Sequence, residues 1–411
     1  MVDKSNNVID LAYKAFVPSP DEYKKLEEVA DDIKEQIRRE ATLNKVNVEV
    51  VPAGSFARRT WVSGKSDIDI FVVFDSEEAI INLPEIVPKG FSPVMGSRRY
   101  FKAQVKGVIV EIVPIVNFSK IKDVRNSIDF SVLHTNYLKP RLSENMRKDI
   151  IILKQFCIAN NCYGSETYLH GMSGYALELL ILRFGDIGSL FEAVKTWKEG
   201  VFVDLAQTYS SLEDAKLHVG APDTPIIIID PTNPFRNICG SLNLQNFYRF
   251  VFAVKRFLLF PSIEMFKEQD VEKGILNRAK YRKTKVFKYK TKIVGDRTKF
   301  LSKYNKNLQA FIKSLSENDI DIYSYEPVFY DDYVSLILEV KAFPSSRTRA
   351  IRGPSVLSNV DIINNFMKQH KSVYLSEEHL SYDKPYSTTN FKKFITSKAK
   401  EFISDGAITK R

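Results

Sequence analysis

Apolar positions along this chain change their period several times, and each change marks an element. After Ser19-Pro20-Asp21-Glu22, residues Leu26, Val29, Ala30, Ile33 and Ile37 recur at helical spacing to about Thr42. Ser19 reads as the N-cap, Pro20 as a first-turn residue and Glu22 as the return partner of a capping box. A strand over 46–51 then leads into the turn Gly54-Ser55, which opens a short helix. Residues 67–74 read as a strand, and 98–104, the turn Lys106-Gly107 and 108–114 read as a hairpin. From Asn145 to about Phe260 the period is helical. Ile150, Leu153, Phe156 and Cys157 form one stripe, a second helix begins near Met172, and a third spans 243–259. Ile226 to Ile229 is a short buried strand ending at Asp230-Pro231, and Pro261 closes the segment. Beyond it come a basic strand, a helix over 296–315 and strands over 320–325 and 333–341, a β-α-β-β order suited to a small sheet with a helix on one face. A last helix lies near 360–369. The expectation is an α+β chain in four parts: a head over 1–141, a helical neck over 142–262, a basic body over 263–345 and a tail over 346–411.

The chemistry starts in the strand at 67–74. Side chains alternate along a strand, so Asp67 and Asp69 share one face while Ile68, Ile70 and Val72 point into a core. Paired carboxylates on a rigid strand repel unless a cation sits between them. Mg²⁺ suits that place, because it is held by one or two carboxylates together with substrate phosphates. The turn at Gly54 and Ser55 offers backbone N–H groups to a phosphate. Glu111 is the lone charge in Val108 to Pro114, which makes it the expected third ligand of a two-metal site; its competing reading is an ion pair with Arg98, Arg99 or Lys106. For the two aspartates the competing reading is the exposed face of an edge strand, which the apolar run Ile70 to Phe74 argues against.

Charge and cysteine usage narrow the class. With 60 Lys and Arg against 50 Asp and Glu, the net charge is +10, which suits a polyanionic partner. Arg278, Lys280, Arg282, Lys283, Lys285, Lys288, Lys290 and Lys292 crowd together without an acid, interleaved with Tyr281, Phe287 and Tyr289. That mixture suits RNA, through phosphate neutralisation and stacking, and competes with a merely solvated strand face. Arg347, Arg349 and Arg352 with Gly353 and Pro354 form a second expected basic loop. Cys157, Cys162 and Cys239 show neither metal spacing nor a disulfide framework. No apolar signal core or membrane-length run is present, so the expected setting is the cytoplasm, with no membrane partner.

These segments resemble the archaeal-type (class I) CCA-adding enzymes, tRNA nucleotidyltransferases of the DNA polymerase β superfamily. The resemblance rests on Gly-Ser-Phe-Ala-Arg-Arg-Thr at 54–60, Ser-Asp-Ile-Asp-Ile-Phe at 66–71 and Val-Glu-Ile-Val-Pro at 110–114. It continues in Leu-His-Thr-Asn-Tyr at 133–137, Leu-Lys-Gln-Phe at 153–156, Tyr-Gly-Ser-Glu at 163–166 and Gly-Met-Ser-Gly-Tyr at 171–175. Asp-Pro at 230–231 leading to Arg-Asn at 236–237 completes the set. It implies stepwise addition of C, C and A to an immature tRNA 3′ end from CTP and ATP, with release of pyrophosphate and no nucleic-acid template.

By the same resemblance, Asp67, Asp69 and Glu111 are the metal carboxylates, in a position where the family usually has Asp for Glu111. Gly54, Ser55 and Arg58 are triphosphate contacts, and His134, Lys154 and Tyr163 are nucleotide contacts from hinge and neck. Arg236 reads the incoming base, in competition with simple pairing to Asp230. The tRNA acceptor end and elbow would meet the basic body and tail, through Lys283, Lys285, Lys288, Lys290, Lys292, Arg349 and Arg352. A homodimer is left open. The competing functions are another RNA 3′ nucleotidyltransferase, such as a poly(A) polymerase or an oligoadenylate-synthase-like enzyme, and a non-catalytic RNA-binding protein with a degenerate head.

Overall fold

The structure, a computed structural model, describes residues 2–96, 98–118, 124, 126–318, 320–341, 348–385, 388–403 and 409–410. The chain divides into two compact units, Met1–Glu268 and Gln269–Arg411. Among the described residues no helix is long and apolar enough to cross a membrane.

The first unit opens with α1 (Val2–Phe16) and α2 (Pro20–Leu43). Ser19 caps α2 by accepting from the Glu22 amide at 3.2 Å, and Leu26, Val29, Ala30, Ile33 and Ile37 form its buried stripe, as the spacing requires. There follow β1 (Glu49–Pro52), α3 (Gly54–Arg58), β2 (Asp67–Phe74), α4 (Leu83–Ile86), β3 (Ser92–Met95), β4 (Arg99–Val105) and β5 (Val108–Val116). The five strands form one sheet in the order β1-β2-β5-β4-β3. Strands β2 and β5 are parallel neighbours, so β2 is interior to the sheet and the edge-strand reading of its aspartates falls. Lys106 and Gly107, both at positive φ, make the two-residue turn that closes the β4–β5 hairpin between paired Val105 and Val108. The α2 stripe, Ile68, Ile70, Val72 and Val110 share one core.

A second core in the same unit is built from α5 (Phe130–Leu138), α6 (Glu144–Ala159), α7 (Gly174–Phe184) and α8 (Ile187–Val194). The strands β6 (Val201–Val203), β7 (Ile226–Asp230) and β8 (Asn233–Asn237) form a three-stranded sheet, with α9 (Leu212–Lys216) preceding β7 and α10 (Leu244–Leu259) following β8. Helix α1 belongs to this core. Ile9 and Ala12 pack with Ile152, Phe156, Leu180 and Phe266, although the sequence reading grouped residues 1–141 together. The reason is local: α1 presents its apolar face to α6, while the head sheet is already covered by α2.

The second unit contains α11 (Val271–Arg282), β9 (Lys285–Lys292), α12 (Arg297–Ser316), β10 (Ile322–Phe329), β11 (Tyr333–Val340), β12 (Thr348–Ser355), α13 (Val360–Gln369), β13 (Tyr374–Ser376), β14 (His379–Pro385), α14 (Thr388–Ile403) and β15 (Thr409–Lys410). The expected β-α-β-β order is there as β9-α12-β10-β11, in a sheet ordered β10-β11-β9-β15. Two expectations need correction. The basic run is split: residues through Arg282 are helical, and Lys283, in the left-handed region, caps α11 before β9 begins. The arginine loop is instead strand β12, paired with β14, where Gly353 lets the Phe366 ring press against the backbone. Arg347 lies outside the described residues.

Candidate active site

Strand β2 places the two aspartates as alternation demands: Ile68 and Ile70 are fully buried, Asp67 is exposed and Asp69 is half-buried. In the parallel register with β5, Asp69 stands directly opposite Glu111. Burial, then the charges of Asp67 and Glu111, push the Asp69 carboxyl up to about 7, against a weaker opposing pull from Arg58 and Lys102. The three acids are therefore close enough to disturb one another. Gly54, at φ +61°, lies against the Asp69 carboxylate so tightly that any Cβ there would overlap its oxygen. The Ala53 amide also donates to the Asp69 carbonyl at 2.9 Å, fixing the turn to the strand. With no side-chain cap on α3, the amides of Gly54, Ser55 and Phe56 have no intrahelical acceptor.

Glu111 has a partner that sequence reading missed. Arg98 pairs with Glu77 and Asp129, Lys106 lies 4.0 Å from Asp32, and Arg99 sits over the Phe101 ring. Lys102, directly across the β4–β5 pair, donates to Glu111 Oε1 at 2.8 Å. Cross-strand pairing in an antiparallel hairpin was the available signal. Among the described residues no three His, Cys, Asp or Glu side chains are placed to ligate one ion. The oxygen donors of Asp67, Asp69 and Glu111 nevertheless suit Mg²⁺, which needs only one or two carboxylates from the protein when phosphates supply the rest.

Arg58 and Lys154 meet at a carboxylate that sequence reading did not single out. Glu178, fully buried on α7, accepts from Arg58 Nε at 2.8 Å through Oε2, and from Lys154 Nζ at 2.8 Å and Thr60 Oγ1 at 2.6 Å through Oε1. Lys154 also donates to the Thr60 carbonyl at 3.0 Å and to Thr60 Oγ1 at 3.1 Å, so its three donors are all engaged. Lys154 is therefore no solvated helix lysine. Arg58 spends Nη1 on Thr135 Oγ1 at 3.1 Å. Burial pushes the Glu178 carboxyl up, but Arg58 and Lys154 outweigh it and bring it down to about 2. Tyr163 follows α6 and is bridged to Met172; its hydroxyl and the Lys154 side chain both crowd Gly174, where a Cβ would come within 3.0 Å of the one and 3.2 Å of the other.

His134, on α5, is buried and donates from Nε2 to Asp230 Oδ2 at 2.9 Å. Its ring stacks on Tyr175 at 4.0 Å, and the Tyr175 hydroxyl donates to Asp230 Oδ1 at 3.3 Å. Burial holds the imidazole below its ordinary range despite Asp230, with Arg236 and Arg58 adding to the effect. Arg236, on β8, lies 3.6 Å from Asp230 with 39% of its side chain exposed. Asp230 thus gathers His134, Tyr175, Thr232 and Arg236, and the pairing of Arg236 to Asp230 coexists with an accessible guanidinium.

In the second unit, Lys288, Lys290 and Lys292 share one face of β9, while Tyr289 and Thr291 point into the core. Tyr289 is therefore no stacking surface, whereas Tyr281 is almost fully exposed. Lys288 is paired with Glu272, and Lys290 lies 4.2 Å from the centre of the Tyr333 ring, itself stacked on Tyr330 at 4.4 Å. Lys285 begins β9 and Arg349 stands opposite Lys384 on β12. Arg352 bonds to His379 Nδ1 at 2.7 Å.

Residues 30–140 match the nucleotidyltransferase domain family, and residues 148–267 match the tRNA nucleotidyltransferase second-domain family. The CCA-adding enzyme of Pyrobaculum neutrophilum is 30% identical over 384 residues, covering 90% of this chain and 86% of its own. The chain belongs to the CCA-adding enzymes. Family members from Methanothermobacter thermautotrophicus and Nanoarchaeum equitans are 28% and 25% identical over 394 and 393 residues. The matches cover 90% and 93% of this chain and 84% and 94% of theirs. As a CCA-adding enzyme the protein is a tRNA nucleotidyltransferase of the archaeal type, as its motifs led one to expect. In fold it is also like a solved cytoplasmic RNA terminal U-transferase, at TM-score 0.50 and 15% identity over 66% of this chain and all of that one.

Proposed function

We propose that this enzyme extends an immature tRNA 3′ end by C, C and A in turn, from CTP and ATP, with Asp67, Asp69 and Glu111 at the reacting centre. The observation that carries the reading is the pairing of Asp69 with Glu111 across parallel strands, beside a glycine whose missing Cβ makes room for the carboxylate. In each cycle the terminal ribose oxygen bonds to the α-phosphorus of the nucleotide while the bond to the β-phosphate oxygen breaks, and pyrophosphate leaves. Asp67, Asp69 and Glu111 are the residues that would hold Mg²⁺ in the two-metal manner, and the metal would supply charge neutralisation and lower the pKa of the attacking hydroxyl. The remaining roles fall to the protein's own groups. Amides at Gly54 and Ser55, with Arg58, receive the triphosphate. Tyr163 holds the nucleotide from the neck, with Lys154 contributing its buried charge rather than a direct hydrogen bond, and His134, fixed by Asp230, orients its sugar. Arg236 presents planar donors to the base. Lys283, Lys285, Lys290, Lys292, Arg349 and Arg352 contribute to the tRNA surface, and the setting is the cytoplasm.

The test is incubation of the purified protein with tRNA lacking its terminus, CTP, ATP and Mg²⁺, followed by sequencing of the RNA ends. A halt after CCA supports the proposal; a run of A alone favours a poly(A) polymerase. Asp69→Ala is expected to abolish incorporation with tRNA affinity retained, and turnover in that variant would remove the acidic centre from the mechanism.

A further inference from the structure

Glu178 satisfies two cations that stand in different cores of the first unit, and its burial is not explained by packing alone. Its Oε2 takes Arg58 from the turn helix; its Oε1 takes Lys154 from α6 and the Thr60 hydroxyl. An apolar residue would fill the same volume without the cost of burying three charges. What it would not do is set the direction of a guanidinium and an ammonium. With Nε held by Glu178 and Nη1 by Thr135, the Arg58 fork has one orientation, and its Nη2 makes no hydrogen bond among the described residues. Arg58 is also near enough to the acidic strand to act on the Asp69 carboxyl.

We propose that Glu178 is a positioning residue for nucleotide binding: it holds Arg58 and Lys154 side by side, so that a triphosphate meets the open Nη2 edge of an already aligned Arg58 guanidinium, backed by the charge of the buried Lys154. The proposal rests on the reading of the first unit as a nucleotide-binding centre. The groups facing Lys154 are Glu178 from α7, Arg58 from α3, Thr60, the Tyr163 hydroxyl and, more distantly, Asp67 from β2. Glu178 is the carboxylate bonded to it, and its loss leaves two buried cations repelling each other.

The experiment compares wild type with Glu178→Gln, Glu178→Asp and Thr60→Val. CTP and ATP affinity is read from ligand-induced rises in Tm, and KM for nucleotide and for tRNA is measured separately from pH 6 to 9. Glu178→Gln is expected to weaken nucleotide binding about tenfold or more, the scale of a lost charged hydrogen bond, with KM for tRNA unchanged. Its nucleotide KM should climb further as pH rises, because Lys154 has lost the carboxylate that keeps it protonated. Glu178→Asp should recover part of the loss. Thr60→Val keeps every charge and should show a smaller shift in nucleotide KM alone, which decides the matter where Glu178→Gln fails to fold. Wild-type nucleotide affinity in a folded Glu178→Gln, or in Thr60→Val where the former is unfolded, overturns the proposal; so does a parallel rise in both KM values. A wild-type protein that adds nothing to truncated tRNA would sink the functional reading instead, and the two failures are distinct.

Discussion

Gly54 and Glu178 show how single residues carry this site in opposite ways, one by having no side chain and one by having a charge. Gly54 combines a left-handed backbone with contact against Asp69, so Gly54→Ala is strained twice over. We expect it to cost about 1–3 kcal/mol of stability, checked by denaturant unfolding, and to lower single-turnover nucleotide addition at least a hundredfold by displacing the carboxylate. Glu178 makes a prediction about acid. Its folded pKa, about 2, lies below the ordinary 4.5, so its stabilisation is complete above pH 4.5 and drains away as pH falls towards 2. Glu178→Gln should therefore show a shallower stability loss across that window than wild type, measured by urea unfolding at stepped pH. Gly54, Asp67, Asp69 and Arg58 stand out in the chain as candidates because a local motif holds them. Glu178 does not, since its partners Arg58 and Thr60 lie 120 and 118 positions away and nothing local distinguishes it from other helix glutamates.

Among the elements, β2 and β5 were readable because a buried strand with a lone acid is a conflict that local pattern exposes. What the pattern does not carry is the register. A shift of one residue would turn Glu111 from Asp69 to the opposite face. The hairpin register likewise sets Lys102 against Glu111, a cation inside an acidic cluster. Removing it leaves more negative potential for a divalent ion. We expect Lys102→Met to lower the Mg²⁺ concentration for half-maximal activity several-fold, read by titrating Mg²⁺ at saturating nucleotide; an increase would mean that Lys102 supports rather than competes. Helix α11 escaped the sequence reading because only Ile275 and Ala279 are buried on it, too short a stripe to stand out from a run of cations.

For the whole molecule, a net charge of +10 promised a polyanionic partner, and the structure shows which cations are already taken. Lys288 is engaged by Glu272, whereas Lys290 and Lys292 lie on the same strand face without an ion pair among the described residues. Neutralising Lys290 and Lys292 to Gln should flatten the plot of log tRNA affinity against log salt by about one to two. The same change at Lys288 should move it less, and filter binding across a salt series separates the two.

The seating of α1 has a consequence for how the chain is made. Ile9 and Ala12 close a core whose last members are Met265 and Phe266, with the entire acidic sheet translated in between. At roughly 5–20 residues per second, the ribosome needs on the order of ten to fifty seconds to deliver those partners. Until α6 emerges, the nascent α1 displays an apolar flank with nothing to cover it, while the sheet behind it can already assemble. Chaperone occupancy should therefore concentrate on α1 until α6 has been delivered, and the core around it should close only with Met265 and Phe266.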